Sequence, residues 1–184
     1  MARVYRSNSL SISEQEQLFS VVTNLEDMVL FKLELSTGIR REDISNIKID
    51  DIDLPQKKLK FWEGKKKRMW EVPLTNEVAN LIEMYVKTMR KDGRNRQLML
   101  FEFTGRTAYN RLQNYLKKAG INKVISFHDL RRSFMKTAKR RGILPKALSQ
   151  ITGDTLATIE RYYENLTMDE LREEVEKLNG DKLA

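Results

Sequence analysis

Between Ile47 and Val72 the apolar residues of this chain leave a helical spacing and take up a shorter one. Ile47, Ile49 and Ile52, then Leu59 and Phe61, then Met69, Trp70 and Val72 read as three short strands. The run E-G-K-K-K-R at 63–68 is a hairpin tip between the second and third, and Pro73 ends the sheet. On either side the pattern is helical. Ser11, with Glu14 three positions on, is a capping box, and Ser13 with Glu16 repeats it two residues later. A helix over 25–36 is apolar on most sides, which makes it central. A short helix follows at 41–47, and others at about 75–91, 104–118, 127–141, 145–152, 155–165 and 168–178. Gly93, Gly120, Gly142, Gly153 and Gly180 punctuate them. The expected fold is α+β and predominantly helical: one domain over 11–166 with a small three-stranded antiparallel sheet, a flexible N-terminus over 1–10, and a C-terminal helix and tail over 167–184.

With 184 residues the chain supports one well-buried domain and not two large ones. Lys+Arg number 34 against 26 Asp+Glu, a formal charge of +8, which favours a polyanion such as nucleic acid as partner. There is no cysteine and a single histidine, so no disulfide or thiolate zinc site is possible, and neither a metal nor a cofactor is expected. The absence of a long apolar run or a signal-type N-terminus points to a cytoplasmic protein with no membrane partner.

The chemistry-bearing residues are spread along the chain. His128 opens the run H-D-L-R-R, and Arg131 stands three positions later on the same helix face. Arg40 closes the turn T-G-I-R, and Lys65 follows Gly64 in the hairpin tip. Tyr163 lies in a later helix, beside Tyr162. Attack on a phosphodiester piles negative charge on its non-bridging oxygens, and guanidinium forks match two such oxygens at once. A loop lysine can protonate a leaving oxygen, and a histidine can relay protons near neutral pH. Each residue alone also has a structural reading: Arg40 and Arg131 as surface cations, Lys65 as part of a solvated turn, His128 as a satisfied structural residue, the tyrosines as core aromatics. Neighbouring helix residues point about 100° apart, so only one tyrosine can line a given site.

Together the motifs resemble the catalytic domain of the tyrosine recombinases, the phage integrase family, over about residues 11–170. T-G-I-R with Asp43 just beyond, Gly64-Lys65 ahead of V-P-L at 72–74, H-D-L-R at 128–131, and Gly153 followed at a fixed distance by Tyr163 occur in the family's order. The resemblance implies that Tyr163 attacks a phosphate to leave a 3′-phosphotyrosyl bond and a free 5′-hydroxyl. Arg40 and Arg131 hold the phosphate, Lys65 protonates the leaving oxygen, His128 assists and Asp43 supports. It implies further that double-stranded DNA is the partner, with Arg41, Lys66, Lys67, Arg68, Arg106 and Arg132 as added DNA contacts. The protein would be a homo-oligomer, a tetramer, on DNA, a monomer without it, and associated with the nucleoid. A lysine-rich, cysteine-free chain of this kind is similar to integrases of archaeal plasmids and viruses. Two rivals remain: a type IB topoisomerase, and a DNA-binding module that has lost catalysis. One departure is Asp154, where the family places a phosphate donor; an ionised carboxylate cannot donate. It is read as a helix cap, as a protonated carboxyl, or as a burden on catalysis. The other departure is that the catalytic domain starts almost at Met1, where the family usually carries a further DNA-binding domain.

Overall fold

The computed structural model of the protein describes residues 8–91 and 99–162, with three further helical positions at 168, 172 and 175. Tyr163, Gly93, Gly180 and most of the C-terminal segment lie outside the described residues. Helix α1 (Ile12–Val21) starts on Ser11, whose hydroxyl accepts the Glu14 N–H while Glu14 returns the bond to Ser11 N–H. The earlier of the two capping signals therefore sets the helix start. The chain just before it, expected to be flexible, is tied down from Asn8 onward: Leu10 is buried, and its N–H donates to Ser133 Oγ at 2.8 Å.

Helix α2 (Leu25–Thr37) begins at Asn24, which caps the Asp27 N–H, and buries Val29, Leu30, Phe31 and Leu33. Each such side chain stabilises the fold by about 1.5–3 kcal/mol through apolar burial. This helix packs on α4 (Asn76–Lys91) and α6 (Phe127–Arg140), so its apolar circumference is explained by neighbours on several sides. Helix α3 (Arg41–Ile44) is a single turn, shorter than the sequence suggested. The first strand is also shorter: Ile49–Asp51 forms a 3₁₀ turn, leaving β1 as Ile52–Asp53. Ile47 is fully buried all the same, because an irregular segment can bury alternate apolar residues as a strand does.

Strands β2 (Lys58–Glu63) and β3 (Arg68–Pro73) pair antiparallel with Leu59 opposite Val72 and Phe61 opposite Trp70. The sheet order is β1-β2-β3. Leu59, Phe61 and Glu63 share the inward face of β2, and Lys60 and Trp62 face out. Helices α5 (Gly105–Lys118), α7 (Pro145–Thr152) and α8 (Leu156–Glu160) complete the described elements. One large core gathers α1, α2, the sheet, α4, α5 and the start of α6; a smaller one joins Phe134, Met135, Ala138, Leu148 and Ile159. Trp70 ties the second to the sheet, its indole N–H donating to Ile151 O. Among the described residues no helix is long and apolar enough to cross a membrane.

Candidate active site

Where α2 ends, Gly38 adopts φ 60°, and its N–H returns to Glu34 O as the helix cap. A Cβ there would stand 2.6 Å from Phe134 Cδ1, so the position demands glycine by conformation and by space. The reversal exposes the Gly38 carbonyl, which accepts a hydrogen bond from Arg131 Nη1. Two residues later the chain delivers Arg40. Asp43, one turn on and buried, accepts the Gly64 N–H at 3.0 Å and so fastens the hairpin tip to the Arg40 turn. Burial pushes the Asp43 carboxyl above its usual range, against the Gly64 bond and the nearby Arg40 charge.

Helix α6 is placed by a second capping box: Ser126 Oγ accepts Asp129 N–H, and Asp129 accepts Ser126 N–H at 2.9 Å. The aspartate of H-D-L-R-R is thus a structural brace, and it also pairs with Arg132 at 3.1 Å. This start puts His128 in the first turn and Arg131 one turn deeper, both facing the same cavity. Burial holds His128 below its ordinary range, helped by the Arg132 and Arg131 charges and opposed by Asp129 and Asp154. This favours the uncharged imidazole, which can accept a proton.

The two arginines meet on one carboxylate. Arg40 Nη2 donates to Asp154 Oδ1 at 2.7 Å, and Arg131 Nη2 donates to Asp154 Oδ2 at 2.6 Å. The side chains of Arg131 and Asp154 are 7% and 14% exposed, so this pairing is little screened by solvent. Asp154 is not the cap of α8: Thr155 is, its hydroxyl accepting Thr158 N–H. Two cap-competent residues stand side by side, and the one within reach of guanidinium groups is drawn to them instead.

Sequence reasoning missed Glu63. Its side chain is 1% exposed, and it receives Arg40 Nη1 and Arg68 Nε, each at 2.7 Å. Burial pushes its carboxyl up, yet the bonds from Arg68 and Arg40 outweigh that and leave it below the usual range. The signal was present: Glu63 continues the inward register of Leu59 and Phe61, and a carboxylate there requires cations. Glu34 was missed too. It is fully buried beside the site, with neither carboxyl oxygen hydrogen-bonded to any described residue. Burial raises it well above the usual range, with the Arg131 charge opposing.

Arg40, Lys65, His128, Arg131 and Asp154 line one open cavity of about 440 Å³, together with Glu34, Tyr109 and Tyr162. Tyr162 also packs on the smaller core; it lies in a turn past the end of α8, so the 100° spacing of helix neighbours does not decide between the two tyrosines. Of the added cations, Arg41 lines the cavity and Lys67 and Arg106 are exposed. Lys66, also exposed, donates to Gly153 O, and the Arg68 guanidinium lies 3.7 Å from the Trp70 ring centroid while it holds Glu63, so both are engaged by other parts of the domain.

A mostly helical domain with one small sheet, converging two arginines, a lysine and a histidine on a seat for a two-oxygen anion, has the layout of a tyrosine recombinase catalytic domain. The chain belongs to the phage integrase family, whose profile matches residues 8–170. It is 29% identical over 178 residues to tyrosine recombinase XerA of Pyrococcus horikoshii, covering 92% of this chain and 60% of that protein. Against XerA of Saccharolobus solfataricus it is 26% identical over 159 residues, covering 86% and 52%. The chain thus spans little more than half the length of these relatives. In fold it is similar to the crystal structure of XerA recombinase, with TM-score 0.80 at 24% identity, covering 94% of this chain and 65% of that one. The catalytic domain of bacteriophage HP1 integrase matches with TM-score 0.67 at 19% identity, over 96% of this chain and 98% of that one.

Proposed function

We propose that this domain cuts and rejoins double-stranded DNA by site-specific strand exchange, with Tyr163 as nucleophile. The observation that carries the reading is the convergence of Arg40 and Arg131, from elements far apart in sequence, on a single two-oxygen acceptor. A scissile phosphodiester offers the same fork. The two guanidinium forks, in a largely buried seat, stabilise the charge that develops on the phosphoryl oxygens. Lys65, on the hairpin tip at the cavity wall, protonates the departing 5′-oxygen, and uncharged His128 moves the tyrosine proton. The covalent phosphotyrosine conserves the bond energy for rejoining.

Named relatives that act as tyrosine recombinases, and integrases solved as DNA complexes, support DNA as substrate. In the same reading the protein assembles as a tetramer on DNA and is monomeric without it, working at the nucleoid in the cytoplasm as part of an archaeal mobile element.

A nicked suicide duplex tests the chemistry. The native protein is expected to form a covalent adduct, Tyr162→Phe to retain it, and Tyr163→Phe to lose it. Adducts formed by Tyr163→Phe would sink the assignment, and no adduct from native protein would favour a DNA-binding module without catalysis.

A further inference from the structure

We infer that Asp154 is a tethered anion occupying the seat of the scissile phosphate, so that substrate enters by exchange and free small anions are turned away. The inference rests on the reading of Arg40 and Arg131 as phosphate ligands. Each oxygen of Asp154 is held by a different arginine, at 2.7 and 2.6 Å, which is how a phosphodiester would present its two non-bridging oxygens.

The arginines do not need Asp154 to stay in place. Arg40 keeps Glu63 on its other terminal nitrogen at 2.7 Å. Arg131 keeps two backbone acceptors, the Gly38 carbonyl and, at 3.3 Å, the Thr152 carbonyl. The cations are therefore preorganised by other partners, and Asp154 fills the space that remains. Its backbone is anchored independently: Asp154 N–H donates to Thr152 Oγ1 at 3.2 Å, and its carbonyl accepts Ser149 Oγ at 2.7 Å. A turn about the side-chain bonds empties the seat without moving the main chain.

The consequence is specificity by competition. An incoming anion must displace a carboxylate that is always at hand. A seat filled nine-tenths of the time lowers the apparent affinity of a free anion about tenfold. Inorganic phosphate can reach only the groups that line this one cavity. A phosphodiester within a duplex brings further phosphates that neighbouring cations hold, so DNA can drive the exchange where a free ion does not.

The test is calorimetric titration of inorganic phosphate at fixed ionic strength into the native protein, Asp154→Asn and Asp154→Ser. Both variants are expected to bind phosphate at least about tenfold more tightly than the native protein. Adding Arg40→Gln to either should abolish the gain. Equal phosphate affinity in native and variant proteins would overturn the inference. So would variants that lack a cooperative melt with and without phosphate, because the carboxylate would then be part of the fold; a melt restored by phosphate would support it. The two readings separate cleanly. Phosphate gain in the variants without DNA adducts from native protein would remove the recombinase reading and keep the tethered anion; adducts without phosphate gain would do the reverse.

Discussion

Glu34 shows how a single side chain can work against the fold that contains it. It is fully buried, unpartnered among the described residues, and held protonated well above its ordinary value by burial. The unfolded chain releases that proton near the usual carboxylate value of 4.5. Over the window between that value and the raised folded one, the native state binds more protons than the unfolded state. Stability from this group is therefore complete below the lower limit and is lost as pH rises through the window, by up to about 1.4 kcal/mol per pH unit. Glu34→Gln, which cannot titrate, should match the native protein near pH 4.5 and be more stable at pH 8. Glu34→Leu should add about 1–3 kcal/mol more by removing an unpaired polar group. Denaturant midpoints at both pH values check this, and a native protein that does not lose ground to Glu34→Gln between them would refute it. In the sequence Glu34 is one polar residue in a helix that is apolar on most sides, and nothing there says whether it is buried or lies on the narrow solvent-facing strip. Arg40 and Arg131 were legible, since their motifs fix residue type and spacing. The pairings with Asp154 and Glu63 were not, although Asp154 was marked by its position and Glu63 by its register, because partners 114 and 23 residues apart meet only once the chain has folded.

The elements that carry the site were readable to the extent that their caps were. Ser11 and Gly38 announce their helices in local sequence. The 47–53 segment did not, because a buried Ile47 followed by partly buried Ile49 and Ile52 fits a strand and an irregular turn equally well. The same distinction gives a prediction about the α2 terminus. Gly38 and Gly120 both have positive φ, 60° and 70°. Alanine at either costs about 1–2 kcal/mol from the left-handed conformation alone. At Gly120 a Cβ meets nothing within 4 Å, whereas at Gly38 it stands 2.6 Å from the Phe134 ring and 3.5 Å from Arg131 Cγ. Gly38→Ala should therefore lower the melting temperature more than Gly120→Ala and also weaken suicide-duplex cleavage, because Arg131 must shift with Phe134. Equal losses of stability, with cleavage intact in both, would show that the α2 terminus does not position Arg131.

At the scale of the whole molecule, the formal charge of +8 does not say which cations are free to meet DNA. Arg40, Arg131 and Arg68 are engaged by Asp154 and Glu63, and Arg111 bridges Glu26 and Asp27 at 2.7 and 3.0 Å. The hairpin tip sorts the same way. Lys66 and Lys67 are both exposed, but Lys66 donates to the Gly153 carbonyl. A backbone-tracking mode releases condensed counterions, so six or more phosphate contacts would cost about 10³-fold or more in affinity between 50 and 200 mM salt. Each cation that touches a phosphate contributes about one unit to the slope of log affinity against log salt. Lys67→Ala and Arg106→Ala should then each reduce that slope by about one while leaving the melting temperature unchanged. Lys66→Ala should do the opposite, lowering the melting temperature with little change in slope, because its ammonium joins the hairpin to the end of α7. Binding measured across a salt series for the three variants, beside their melting curves, decides the matter: a slope reduced equally by Lys66→Ala and Lys67→Ala would mean that the Gly153 contact gives way to DNA.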